Sequence, residues 1–240
     1  MPVTDWLKGY LPVAGWILGG MLLLFCIFRL LVYWVRRRHE EADLRRVTRE
    51  SGTHGEAMSL RKLRRIGGYK HLLHNLYLPN GRQDGTVEVD AVLVSCDGIF
   101  VVETKNYSGT IYGEENDRYW WHELGHGRGG FQFYNPVKQN AGHVRAVRRV
   151  LEAGKELPVY SILVFGEAAR FDRVQLPTAR VSLTRISGLP RTVRRLARRS
   201  PGVFSRADVD AIAGRLRAYS HADSRTRKEH LRAIERKKRS

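Results

Sequence analysis

Residues 86–96 and 99–105 are rich in Val and meet at Asp97-Gly98. β-prone runs joined by an Asp-Gly step read as a β-hairpin, because Gly tolerates the positive φ that a two-residue turn demands. With Asp97-Gly98 as the loop, Cys96 faces Ile99 and the register of the whole hairpin is set. Asp90 then falls opposite Lys105 and Val92 opposite Glu103. Strand side chains alternate, so these four share one sheet face. Opposed Cβ atoms lie about 5 Å apart and diagonal ones about 7–8 Å, close enough for Asp90 and Glu103 to hold one divalent ion. The other face, with Ala91, Leu93, Phe100 and Val102, is wholly apolar and is expected to be the core. The plain structural alternative for the polar face is a cross-strand ion pair between Asp90 and Lys105.

Two carboxylates and a lysine on one face suit phosphodiester hydrolysis. Hard oxygen ligands bind Mg²⁺ (or Mn²⁺), which acidifies water and polarises phosphate, and a lysine positions that water or neutralises developing charge. The chain carries 42 Lys and Arg against 24 Asp and Glu, a formal charge of +18. Such an excess attracts polyanions, either nucleic acid or anionic lipid. The two cysteines, Cys26 and Cys96, argue against a disulfide framework.

The remainder divides by composition. Residues 1–9 form a short N-terminus, and residues 10–28 contain no charge. The apolar character resumes after Arg29 to residue 35, so a transmembrane helix over 10–35 is expected. A cleaved signal peptide would need a basic start, whereas here Asp5 and Lys8 cancel and Arg36, Arg37 and Arg38 follow the span. Basic residues favour the cytoplasmic side, which places the N-terminus outside and the globular part in the cytoplasm. Residues 36–54 read as a charged juxtamembrane linker. Residues 55–65 read as a short amphipathic helix ending before Gly67-Gly68, and residues 71–78 as a strand. Short strands are expected at 109–112, 118–122, 159–165 and 179–183, with a glycine-rich loop at 124–130. Asn135-Pro136 opens a helix to about Glu152, since Asn suits the N-cap and Pro the first turn. Residues 186–240 hold sixteen Lys or Arg against five Asp or Glu, in two amphipathic helices and a tail.

The segment VEVDAVLVSCDGIFVVETKNYSGTIYG resembles the nuclease-related domain (NERD) family of the PD-(D/E)-x-K nuclease superfamily. Four motifs in order carry the resemblance: Gly55-Glu56 at a helix start, Asp90 before the hairpin, Glu103-Thr104-Lys105-Asn106, and Asn135-Pro136-Val137-Lys138-Gln139. It implies an α/β, restriction-endonuclease-like fold over 55–185, with a central mixed sheet flanked by helices. It also implies a metal-dependent endonuclease, with Glu56, Asp90 and Glu103 as metal ligands or their orienters and Lys105 as the catalytic cation. Gln139 would touch phosphate or water, or serve only the start of its helix. The implied partner is nucleic acid, DNA ahead of RNA. A nucleic-acid-binding or membrane-surface scaffold of the same fold, without turnover, is the alternative.

Other signals have plainer readings. His122 and His126 are too close to glycines for a helical zinc pair, and His71 and His74 should point to opposite faces of a strand. His143, one turn after Gln139, could face the site, but a surface histidine is the plainer reading. Tyr112, Tyr119, Trp120 and Trp121 could stack on bases, but core packing is the commoner use of large aromatics. Arg194, Arg195, Arg198 and Arg199 recur at helical spacing and could contact nucleic-acid phosphates or anionic lipid, and the sequence leaves both open.

Overall fold

A computed structural model describes Met21 and residues 24–31, 54–81, 85–124, 129–154, 156–178 and 180–220. The chain divides into two compact units, Met1–Arg46 and Val47–Ser240. In the first, residues 24–31 are helical and every one is exposed. Among the described residues no helix is long and apolar enough to cross a membrane. Most of the expected 10–35 span, the 36–54 linker up to residue 53 and the basic tail from residue 221 lie outside the described residues.

In the second unit α1 (His54–Arg64) precedes β1 (Lys70–Pro79), β2 (Thr86–Ser95) and β3 (Gly98–Lys105). β4 (Gly109–Glu114), β5 (Tyr119–Glu123), β6 (Gly130–Tyr134) and α2 (Pro136–Val150) follow. β7 (Val159–Phe165), β8 (Ala169–Gln175), β9 (Val181–Arg185), α3 (Leu189–Ala197) and α4 (Arg206–Arg217) complete it. The strands make two mixed sheets, ordered β1-β2-β3-β7-β9 and β6-β5-β4-β8. In the first, β1, β2 and β3 are antiparallel while β3, β7 and β9 run parallel.

The hairpin forms, but two residues away from the expected register. Ser95 pairs with Gly98 and Val92 with Val101, so the loop is Cys96-Asp97. Gly98 has φ +136° and is the only one of the expected loop pair with positive φ, whereas an Asp-Gly loop of the expected kind needs both. Ser95 Oγ accepts the Asp97 N–H at 3.3 Å, and a Cβ on Gly98 would lie 2.9 Å from the Tyr160 ring. Gly98 is therefore needed where β3 passes against β7. A shift of two residues preserves the faces, so Asp90, Val92, Glu103 and Lys105 still share one side.

That side is not an open polar surface, as the apolar-in, polar-out reading expected. Val92, Val94, Ile99 and Val101 lie on it and pack with Ala146, Val147 and Leu151 of α2 and Val209, Ala213 and Leu216 of α4. On the other face, Thr104 Oγ1 donates to Ser59 Oγ of α1 at 3.2 Å, and α1 contacts α3 there. A strand parallel to a neighbour and covered on both faces reads as a continuous apolar run, and residues 98–104 are all buried. Asn135 caps α2, accepting the Val137 N–H at 2.8 Å, as the Asn-Pro step predicts. Asn140 then anchors the helix: its Nδ2 donates to Val101 O at 3.1 Å and Ser161 Oγ at 2.8 Å.

Candidate active site

Glu103 and Lys105 project from the same face at the end of β3. Glu103 is 1% exposed, and Lys105 Nζ lies 2.7 Å from its Oε1. His143, one helical turn past Gln139 on α2, brings Nδ1 to 3.3 Å from Glu103 Oε2. The β2–β3 ladder ends at Ala91–Val102. Beyond it, Asp90 Oδ2 accepts the Thr104 N–H at 2.8 Å, taking the place of a strand carbonyl and fixing the carboxyl beside Glu103.

The electrostatics follow from crowding charge among protein atoms. Burial, and next the Glu103 carboxylate, push Asp90 well above the usual carboxylate range, against the pull of the Thr104 N–H. Burial acts the same way on Glu103, but His143 and the Lys105 ammonium outweigh it, and Glu103 is held below its ordinary value. Lys105 is pulled down by burial and more strongly up by Glu103 and Asp90, so it stays an ammonium at neutral pH. It can neutralise charge or orient water, but it is no general base.

Glu56, on the first turn of α1, is half-buried and acts on Asp90 through charge. Its approach depends on Gly55, where a Cβ would meet Asn106 Cβ at 2.5 Å. A Cβ on Gly166 would meet Tyr107 O at 2.7 Å and Asn106 Oδ1 at 3.2 Å. Asn106, next to Lys105, thus sits between two positions that only glycine suits. Gln139 is half-buried, on the face of α2 that carries His143 one turn later.

His143 is 4% exposed and touches Glu103, which corrects its reading as a surface histidine. Its spacing of four from Gln139 was the available signal. Trp120 is 1% exposed and part of a core with Ile111, Phe133 and Phe165, while its neighbour Trp121 faces solvent. His122 is buried and stacks on Tyr107. Arg194, Arg195, Arg198 and Arg199 are exposed. The end of α3 reaches the β2–β3 turn, where Ser200 Oγ donates to Asp97 O at 2.8 Å. That is the opposite end of β3 from Lys105, roughly 23 Å away for seven strand steps.

Asp90 and Glu103 offer oxygen donors of the kind a hard divalent cation takes. Glu103 Oε2 is buried, with His143 Nδ1 at 3.3 Å but outside hydrogen-bond geometry, and burial and the Glu103 carboxylate both disfavour charge on Asp90 beside it. Among the described residues no group of three His, Cys, Asp or Glu is arranged to hold a metal. The candidate ligands are therefore the two carboxylates, with Glu56 nearby. Mg²⁺ suits such a site because it retains several waters and takes one or two protein carboxylates.

A mixed α/β sheet flanked by helices, with two acids and a lysine gathered at the end of a central strand, defines a nuclease-type scaffold. The model of the nuclease-related domain family, NERD, matches residues 51–166, and the chain belongs to that family. The matched segment contains Glu56, Asp90, Glu103, Lys105, Gln139 and His143, and ends before β8. A Bacillus anthracis protein described as uncharacterized is 30% identical over 151 residues, which span 62% of this chain and 69% of that protein. No solved structure matches the chain.

Proposed function

We propose that this protein is a membrane-anchored, divalent-metal-dependent nuclease that hydrolyses phosphodiester bonds of nucleic acid, DNA ahead of RNA, at the cytoplasmic face. The observation that carries the reading is the convergence of Asp90, Glu103 and Lys105, with Lys105 Nζ 2.7 Å from Glu103 and Asp90 forced up by burial and by Glu103. In the reaction a water oxygen bonds phosphorus, a bridging P–O bond breaks, and a proton reaches the leaving alkoxide. Asp90 and Glu103, together with Glu56, would hold Mg²⁺ or Mn²⁺, which would supply Lewis acidity at the phosphate. Lys105 offers a fixed ammonium to the charge that develops on phosphate oxygens. Gln139, on the helix face that carries His143, would orient phosphate or water. His143 holds Glu103 from the helix side.

The anchor is supported by residues 24–31, where Leu24, Phe25, Phe28, Leu30 and Leu31 are each 58–67% exposed. A helix apolar nearly all round is made for lipid or a large core, and the uncharged sequence on its N-terminal side lengthens the apolar run. The basic tail would add contact with anionic lipid or nucleic acid. A reporter fused at Ser240 tests orientation, and an extracellular C-terminus would undo the cytoplasmic assignment.

The test of hydrolysis uses the full chain in detergent, given single- and double-stranded DNA and RNA with Mg²⁺ or Mn²⁺. Asp90→Ala and Lys105→Ala should abolish metal-dependent cleavage while the protein stays folded; equal cleavage by both variants eliminates the assignment. A second reading, a binding protein without turnover, draws on the way Lys105 and His143 already flank Glu103. It is favoured if no cleavage occurs and no metal binding depends on Glu103.

A further inference from the structure

We infer that the open face of the β6-β5-β4-β8 sheet is a stacking platform for the unpaired bases of single-stranded nucleic acid. In register, Tyr112 pairs with Trp121 and with Arg173. Trp121 pairs with Gln132, and Tyr119 with Tyr134. Directly opposed residues share a face, so three strands set Tyr112, Tyr119, Trp121 and Tyr134 side by side, with Arg173 at the border. The reverse face, Ile111, Trp120 and Phe133, is core. The alternation is thus aromatic on both sides, though only one side needs apolar residues for packing.

Tyr119, Trp121 and Tyr134 are 45%, 42% and 48% exposed. Among the described residues of the second unit, three of the seven exposed large hydrophobics lie together on this one face. A patch this concentrated marks an interaction site. The charge around it is complementary to a phosphate backbone. The Arg118 guanidinium lies over the Tyr119 ring, 5.4 Å from its centroid, and Arg170 and Arg173 are exposed on β8. Rings that accept bases beside arginines that track the backbone are how sequence-tolerant single-strand binders work.

A lipid headgroup layer is the other surface that takes Trp, Tyr and Arg. The Tyr112 hydroxyl, however, donates to Glu123 Oε2 at 2.8 Å, and Glu123 shares this face through its pairing with Thr110. Insertion would bury that carboxylate, whereas bases can lie on the rings while it stays in water. Position agrees as well. β4 starts at Gly109, four residues after Lys105, and Gly109 N–H donates to Ala168 O where β7 leads into β8. The platform therefore extends from the end of β3 that carries the acids, while the α3 arginines lie at the other end.

This inference names a substrate class for the proposed nuclease, yet its test reads binding alone. The full chain in detergent, with EDTA present, is titrated with a fluorescent 12-mer of oligo(dT), with a duplex of equal length, and with phosphatidylserine vesicles. Salt is set at 0.3 M to suppress contacts made by basic residues alone. The 12-mer should bind at least tenfold more tightly than the duplex. Trp121→Ala and Tyr134→Ala should each weaken it about tenfold, the scale of one lost stack, while Trp121→Phe retains most of the affinity. Oligonucleotide binding that is equal in wild type and both alanine variants overturns the inference. So does a loss of vesicle binding with oligonucleotide binding intact, which would make the sheet a membrane face. Asp90→Asn should bind the 12-mer as wild type does even where it fails to cut, which separates the platform from the hydrolytic centre.

Discussion

Replacing Asp90 with Asn should stabilise the protein while silencing it. The amide oxygen of Asn can still accept the Thr104 N–H that Asp90 accepts at 2.8 Å, so the backbone link survives. What disappears is a carboxylate that burial, and then Glu103, hold well above its ordinary value. A group whose folded pKa is raised binds its proton more tightly in the folded state. Its contribution is complete below the unfolded pKa near 3.8 and is lost as pH rises through the folded value. Glu103 behaves oppositely: held low by His143 and Lys105, it contributes stability above its unfolded pKa that is lost as pH falls. The Asp90→Asn variant should therefore match wild type in acid and exceed it increasingly toward neutral pH. A buried polar group left poorly compensated costs about 1–3 kcal/mol. For a unit of about 200 residues each kcal/mol shifts Tm by about 2–4 °C, so the expected gain is roughly 2–12 °C. The assay is thermal unfolding in EDTA across pH 4–9, repeated with saturating Mg²⁺, which should raise wild type and leave the variant unmoved. A variant less stable than wild type at pH 8, or a difference that does not change with pH, would refute the reasoning.

Three further substitutions test the supports of the site. Asn140→Ala removes donations to Val101 O, Ser161 Oγ and Ile162 O and should cost about 2–4 kcal/mol in denaturant unfolding, since three acceptors lose a buried partner; an unchanged midpoint would contradict the anchoring role. Trp120→Ala should cost about 3–5 kcal/mol as a core truncation, whereas Trp121→Ala next to it should stay within about 0.5 kcal/mol, and equal losses would contradict the division of this sheet into one buried and one open face. Gly55→Ala forces a methyl to 2.5 Å from Asn106 Cβ and should cost about 1–3 kcal/mol along with metal-dependent cleavage. Adding Asn106→Gly should restore the stability, and failure to restore it would mean that this contact does not set the start of α1.

Much of this arrangement was legible in the sequence because local rules and tertiary demands agree. Asn135-Pro136 predicts a cap and a cap forms; residues 159–165 predict a strand and β7 spans them. The face shared by Asp90, Glu103 and Lys105 survived an error in the turn, since the loop moved by one residue, the pairing therefore shifted by two, and strand parity is blind to that. What the Asp-Gly rule missed was Tyr160, whose ring leaves no space for a side chain at position 98, so the glycine serves close packing instead of the expected loop. The apolar-in, polar-out reading failed because Val92, Val94, Ile99 and Val101 interrupt the polar face, and a strand covered by α2 and α4 needs them. β8 was missed: its sequence, Ala169 to Gln175, mixes Arg and Asp with apolar residues, and its parallel pairing with β4 is nonlocal. His143 was legible only as a position one turn past Gln139; that it faces Glu103 depends on how α2 is pinned by Asn140.

The central claim is that Asp90 and Glu103 form one cation site. Titration of the full chain in detergent with Mn²⁺ at pH 7.5, followed by calorimetry and by electron paramagnetic resonance of the free ion, tests it without requiring turnover. One ion should bind per chain, and Asp90→Asn and Glu103→Gln should each abolish that binding while the fold persists. Stoichiometric Mn²⁺ binding that is unchanged in both variants would contradict the account.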